Sequence, residues 1–176
     1  MLATVQKDDF EKVAAVSPYF VGRWGYYSEA LRLAAELEPQ NVLELGCMSF
    51  PLFKGQDTMD VAVSMKPTLL HDASVTPWPI NDKRYDLFMA LQVWEHLGNQ
   101  QSQAFKEVQR VSNKAIISVP LQWSCSDPND MHHGLTLETF DRWFHPVTPM
   151  KVVIMPPWGC KRAIYVFDFN QQQRSI

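Results

Sequence analysis

The 176-residue chain is poor in cysteine, and it has neither a long apolar run nor a run of basic residues. Its three cysteines, Cys47, Cys125 and Cys160, lie far apart and form no CxxC pair. That argues against a zinc ribbon or a dithiol redox motif. An odd, sparse count also suits a reducing compartment better than a disulfide framework. No apolar stretch approaches the roughly 18 residues that read as a bilayer-spanning helix. The opening MLATVQKDDFEK is too polar for a signal peptide, so a cytoplasmic protein without a membrane span is expected. The net charge of −3, with no cluster of lysine and arginine, lacks the electrostatic footprint of a dedicated nucleic-acid binder.

What is present describes a packed domain. Hydrophobic residues make up 46% and aromatics 12%, including six tryptophans. This length supports one core and is short for two. Residues 1–176 are therefore read as a single domain, with 1–25 an N-terminal arm or lid and 170–176 a fraying tail. In the arm, the segment PYFVGRWGYY suits either a lid over a ligand or a hydrophobic stretch packed on the core.

Periodicity gives the elements. Tyr27, Ala30, Leu31, Ala34 and Leu37 share a helical face, and Pro39 ends that helix. NVLELG (41–46), TMDVAV (58–63), YDLFMAL (85–91) and AIISVP (115–120) read as buried strands. TLLHD (68–72) is a shorter extended piece. Ala104, Phe105, Val108 and Val111 mark a helix over 100–111. TLETFDRWF (136–144) is a helix capped by Thr136. KVVIM (151–155) and AIYVFDF (163–169) pair antiparallel around PPWGCKR. The pattern predicts an α/β fold: a Rossmann-like three-layer sandwich, mostly parallel, with a C-terminal antiparallel hairpin. Only 13 residues separate Gly46 from Asp60, and SMKP alone joins the next two segments. A parallel crossover normally takes a dozen residues or more. The sheet is therefore expected to be reduced at its β2/β3 edge, and TLLHD is doubtful as a regular parallel strand.

Ligands of such sheets bind beyond the carboxyl ends of the strands, here just after Leu45, Val61, Leu70, Leu91 and Val119. Glu44, Gly46, Asp60, Asp72, Ala73 and Gln92 fall at those ends. An acid ending the second strand can accept hydrogen bonds from ribose hydroxyls, and backbone N–H groups at a glycine turn can face an anion. Asp60 and Asp72 are also ordinary as solvated turn acids, and Gly46 as a strand-ending turn glycine.

The segments VLELGC, TMDVAV, HDASVTPWPINDKRYDLFMALQVWEHL and AIISVP resemble successive motifs of class I S-adenosylmethionine-dependent methyltransferases. The resemblance covers about residues 41–120, and the closing hairpin extends it towards 169. It implies S-adenosylmethionine as cofactor. Glu44, Gly46 and Cys47 would lie beside its methionine part, Asp60 and Val61 at the ribose, Asp72 and Ala73 around adenine, and Gln92 near the sulfonium. The family loop G-x-G-x-G reads Gly46-Cys47-Met48-Ser49-Phe50 in this chain, so two of its glycines are replaced.

Three histidines are candidates for catalysis. His96 suits a general base or a packed position, while Glu95 beside it is explained by capping a helix start. His132 and His133, after Asp127 and Asp130, belong to a loop over the strand ends and could touch substrate. Adjacent histidines point apart in most backbones, so no metal is expected there. The reading is a methyltransferase acting on a small-molecule acceptor, with homodimer formation through an exposed sheet edge feasible. The altered glycine loop keeps a second reading open: a non-catalytic Rossmann-like module that has lost tight cofactor binding and acts through a protein partner. A nucleotide-binding protein of another class is a third.

Overall fold

The computed structural model describes residues 2–155 and 161–172. Seven strands form one sheet: β1 (Val42–Leu45), β2 (Asp57–Asp60), β3 (Leu69–Leu70), β4 (Tyr85–Leu91), β5 (Ser112–Pro120), β6 (Lys151–Met155) and β7 (Arg162–Asp168). Their order is β3-β2-β1-β4-β5-β7-β6. The first five run parallel, and β7 pairs antiparallel with both β5 and β6. The closing hairpin therefore inserts its second strand next to β5 and leaves β6 at the edge. Most of its connecting turn, residues 156–160 with Cys160, lies outside the described residues, as do residues 173–176 of the tail.

Helices α1 (Lys7–Ala14) and α2 (Trp24–Leu37) cover one face of the sheet, and α3 (Gln101–Val111) and α4 (Leu137–Phe144) the other. A short α5 (Phe169–Gln172) follows β7 directly. The α2 face that is buried comprises Tyr26, Tyr27, Ala30, Leu33 and Ala34, one helical stripe with Leu33 in the place expected for Leu31. Glu38 ends α2 in the left-handed conformation at φ 47°, just before Pro39. On α3 the expected stripe of Ala104, Phe105, Val108 and Val111 is buried. The N–H of Thr139 donates to the Thr136 hydroxyl at 3.3 Å, which caps α4.

Residues 2–25 of the arm pack on the sheet. Phe10 and Phe20 are buried against Phe50 with ring centroids 5.9 and 5.5 Å apart. Residues 3–5 run beside 52–54, with the Val5 N–H on the Leu52 carbonyl at 3.0 Å and the Lys54 N–H on the Ala3 carbonyl at 2.8 Å.

The β1–β3 edge is reduced, and side chains replace the missing connecting helices. Val61, Ala62 and Val63 leave the sheet, so the second strand ends at Asp60 rather than at 63. A single 3₁₀ turn, Val63–Met65, then returns the chain to β3, which is parallel to β2 although only two residues long. Two threonines make this possible. The Thr58 N–H donates to Thr68 Oγ1 at 2.7 Å, the Thr68 N–H donates to Thr58 Oγ1 at 3.1 Å, and the Thr68 hydroxyl donates to the Thr58 carbonyl at 2.9 Å. The hydroxyls supply the ladder bonds that two residues of strand cannot. Between β3 and β4 an irregular segment is held under α3: Glu107 accepts the Trp78 N–H at 2.7 Å, and Arg110 donates to the Trp78 and Ile80 carbonyls at 2.9 and 2.6 Å.

Candidate functional site

Backbone strain gathers at the carboxyl ends of the strands. Among the described residues, seven other than glycine have positive φ. Four of them lie just past β1, β4 and β5: Met48 (51°), Ser49 (60°), Gln92 (59°) and Gln122 (55°). Such conformations are costly for residues with a Cβ and tend to persist at functional sites. Met48 is also the second glycine position of the motif described above, so the loop keeps a glycine-like backbone there without the glycine. Gly46 itself has φ +64°, and a Cβ on it would lie 2.6 Å from a Val93 methyl. The tight contact between the ends of β1 and β4 therefore requires glycine at this position.

Glu44 points into the protein beneath this loop. Its two oxygens accept the N–H groups of Leu52 at 2.9 Å and Phe53 at 2.7 Å. Burial pushes its carboxyl up to about 7, against the pull of those two donors. Cys47 lies close enough to Glu44 and Asp60 to feel both charges, and burial with those charges raises its thiol to about 11. At that value it is a poor nucleophile at neutral pH. A cavity of about 20 Å³, lined by Tyr27, Glu44, Gly46, Phe50 and Leu91 among others, lies under the loop. That is room for about one water.

Asp60 ends β2. Its Oδ1 accepts the Ala62 N–H at 2.8 Å, and its carbonyl accepts the His71 N–H at 3.0 Å. Val61 and Val63 beside it are about 70% exposed, at 67% and 71%. Asp72 heads a turn in which Oδ1 accepts the N–H and hydroxyl of Ser74 at 2.9 and 2.7 Å. Those bonds hold its carboxyl below the ordinary value. Ala73 is buried, and its carbonyl takes the Trp78 indole N–H at 3.0 Å. Gly46, Cys47, Asp60 and Gln92 thus share one neighbourhood, with Asp72 and Ala73 one turn beyond β3. The Glu44 carboxylate faces away, into the loop it supports.

The segment after β4 carries buried polar atoms that find no hydrogen-bond partner: Gln92 Oε1, Trp94 Nε1 and both carboxylate oxygens of Glu95. Gln92 Nε2 donates to Ser118 Oγ at 3.3 Å. Glu95 is 3% exposed, and burial raises its carboxyl to about 7, opposed by its own backbone N–H and then by the charges of Arg23 and Arg162. An acid capping a helix start would use its oxygens on backbone N–H groups. Only its own backbone N–H approaches the Glu95 carboxylate, too loosely to count as a hydrogen bond, so capping accounts for little of its burial. The signal that would have revealed it is spread along the chain: Arg23 on the arm, Arg162 on β7, and His132 on the loop after β5.

The two adjacent histidines diverge. His133 turns into its own loop, where Nδ1 accepts the Cys125 N–H at 3.1 Å. His132 joins Glu95 and His96. Its Nε2 lies 3.8 Å from Glu95 Oε1, its ring centroid 5.0 Å from that of His96, and its Nδ1 2.7 Å from Asp130 Oδ1. Trp123 stacks on it at 5.5 Å and 19°. Burial and then the nearby His132 lower the pKa of His96, which favours neutral imidazole. The guanidinium of Arg162 sits 4.5 Å from the Tyr26 ring and 5.2 Å from that of Trp123. Arg23 lies over Tyr19 at 3.8 Å and donates to the Tyr26 hydroxyl at 2.9 Å. The arm therefore supplies one wall of this second site.

No helix among the described residues is long and apolar enough to cross a membrane. No family model matches the sequence, and no curated protein does. Solved structures do. The chain is similar to the N-methyltransferase NodS from Bradyrhizobium japonicum WM9, with 14% identity over 93% of this chain and 98% of that one at a TM-score of 0.62. In its complex with S-adenosyl-L-homocysteine the same protein aligns at 17% identity over 81% and 86%, TM-score 0.60. An S-adenosylmethionine-dependent methyltransferase from Clostridium acetobutylicum ATCC 824 aligns at 10% identity over 92% and 98%, TM-score 0.59. At these identities the likeness concerns architecture: the chain has the Rossmann-like α/β fold of S-adenosylmethionine-dependent methyltransferases.

Proposed function

We propose that the protein is an S-adenosylmethionine-dependent methyltransferase acting on a small-molecule acceptor. The observation that carries this reading is Gln92. It is buried, left-handed in backbone and unpartnered at Oε1, at the end of the strand that meets Gly46 through Val93. Strain and an unsatisfied polar atom at one residue are costs to folding that a bound ligand can offset.

The residues fit the adenosyl end of the cofactor. Asp60 Oδ1 is committed to Ala62, and its second oxygen is the acceptor for ribose hydroxyls. The exposed Val61 offers apolar surface to adenine, and the buried Ala73 fixes the turn beside it. Asp72, ionised and already fixed by Ser74, accepts from the adenine amino group. At the methionine end, the turn of Gly46, Cys47 and the left-handed Met48 and Ser49 would offer backbone N–H groups, while Glu44 acts through the loop it fixes. When bound, the cofactor supplies a methyl group on a sulfonium, an electrophile that needs little activation. The chain then has to position an acceptor in line, exclude water and take up a proton where the nucleophile carries one. We assign that task to His96 and His132, together with Tyr19 and Arg23 of the arm. His133 acts on them through the loop conformation it holds.

One observation favours the second reading, a non-catalytic module working through a protein partner. Phe50 is packed into the aromatic cluster of the arm, and the cavity under the loop holds about 20 Å³. Calorimetric titration with S-adenosylmethionine and S-adenosylhomocysteine separates the two readings. The methyltransferase reading expects saturable binding of both. Asp60→Ala should weaken it by about 1–3 kcal/mol, the range for losing hydrogen bonds to a desolvated group. Folded protein that gives no heat with millimolar ligand favours the module.

A further inference from the structure

We propose that Glu95, His96 and His132 form a binding site for one divalent first-row transition ion of the zinc class. One ligand atom from each of the three lies within 4.8 Å of the others. Two features separate this cluster from a chance grouping of polar side chains. The first is Glu95: its side chain is 1% exposed, neither oxygen has a hydrogen-bond partner, and only its own backbone N–H approaches it. Placing a carboxylate there without compensation is costly, and a cation between it and His132 removes the cost. The second is the state of His132. Its Nδ1 is taken by Asp130 at 2.7 Å, and the Trp123 ring fixes its plane. Nε2 is thereby directed at Glu95. A carboxylate that orients the far nitrogen of an imidazole is the usual outer-shell partner of a metal-bound histidine.

The donor set selects the ion. Two imidazoles and one carboxylate suit zinc and its neighbours, whereas magnesium and calcium prefer all-oxygen surroundings. With bonds of about 2.1 Å, tetrahedral ligands stand roughly 3.4 Å apart. The 3.8 Å between Glu95 and His132 is near that, and His96 offers its ligand atom within 4.8 Å of both. Glu95 forms the buried floor and His96 the exposed rim, which leaves an entry path. Three protein ligands leave a position open. That position would accept an oxygen or nitrogen donor of a small molecule. Arg23 and Arg162 are the competing explanation, since their charges also act on Glu95. If they alone balance it, no ion binds.

The ion site stands independently of adenosyl binding, so Zn²⁺ and S-adenosylhomocysteine are titrated separately into the full-length protein. The expected result is one Zn²⁺ per chain, with Co²⁺ giving the absorption of a low-symmetry site. Glu95→Gln and His132→Ala should each weaken Zn²⁺ binding at least tenfold. Asp130→Asn should weaken it about 10–100-fold. His145→Gln, at the exposed end of α4, should leave it unchanged. Glu95→Gln retains shape and removes a buried charge, so its melting temperature in the absence of metal should equal or exceed that of the parent, which guards against loss of fold. The proposal is overturned if folded parent protein takes up no Zn²⁺ at millimolar concentration. It is equally overturned if Glu95→Gln and His132→Ala bind as tightly as the parent.

Discussion

The two halves of the sheet are built by different means. On one side β4, β5 and β7 have seven to nine residues each, α3 and α4 pack beside them, and Phe105, Phe140, Phe144 and Phe167 fill the space between. On the other side β1, β2 and β3 have four, four and two residues, and no α-helix connects them. There the chain is held by individual polar contacts: Glu44 under the loop, Thr58 with Thr68, Asp72 with Ser74, and Glu107 with Arg110. The fold thus needs the strand ends in place more than it needs the connecting helices. A few well-aimed hydrogen bonds can stand in for a layer of packing, provided each donor and acceptor is matched. The half that relies on them is also the half proposed to hold the adenosyl group.

Substitutions sharpen this contrast. The largest effect is expected in the aromatic half. Phe105→Ala removes a fully buried ring from a cluster that includes Trp94, Phe144 and Phe167. It should lower stability by about 3–5 kcal/mol in urea unfolding. In the other half, Glu44→Ala strands two buried N–H groups and should cost about 1–3 kcal/mol. Glu44 also confers a pH dependence. Its carboxyl rises from the ordinary 4.5 to about 7 in the fold, so the folded state binds the proton more tightly than the unfolded chain. The resulting stabilisation is complete below about 4.5, declines as pH rises towards 7 and is lost above it. On the order of 3 kcal/mol follows from a shift of that size. Glu44→Gln should make this decline shallower in denaturation curves taken from pH 4.5 to 8, the remainder belonging to Glu95, whose carboxyl also rises to about 7. An unchanged slope would show that another group carries it.

The contrast was partly legible in the sequence. The long strands of the second half carry unbroken apolar runs, and YDLFMAL coincides with β4 residue for residue. The short crossovers around Asp60 announced a reduced edge by length alone. What length could not convey is how the edge survives, because Thr58 and Thr68 look like unremarkable strand and turn residues until they are paired. At the site, the residues at strand ends were legible because strand order and position imply them. Glu95 was not, since an acid opening a short helical turn is ordinary. Only the approach of Arg23, His132 and Arg162 from three remote segments makes its burial meaningful. His132 and His133 show the same limit: the sequence presents a pair, and only the loop geometry separates the imidazole that faces Glu95 from the one that holds Cys125.

Two smaller effects test the contrast further. Thr68→Val removes the acceptor for the Thr58 N–H and should cost about 1–3 kcal/mol. Its effect should be local, with amide exchange accelerating at Leu70 and His71 while β5 and β7 stay protected. If the β5 amides accelerate equally, the two halves unfold as one unit. Thr136→Ala removes the cap of α4 and should cost about 1 kcal/mol, with no effect on S-adenosylhomocysteine binding.

The central claim is that the ends of β1, β2 and β4 together form one adenosyl-binding edge. Titrating ¹⁵N-labelled protein with S-adenosylhomocysteine and following backbone amide shifts tests it most directly. The account predicts saturable shifts at Gly46, Val61, Ala73 and Gln92 with a common dissociation constant. Unmoved amides at these four positions under millimolar ligand, or shifts confined to α3 and α4, would contradict it.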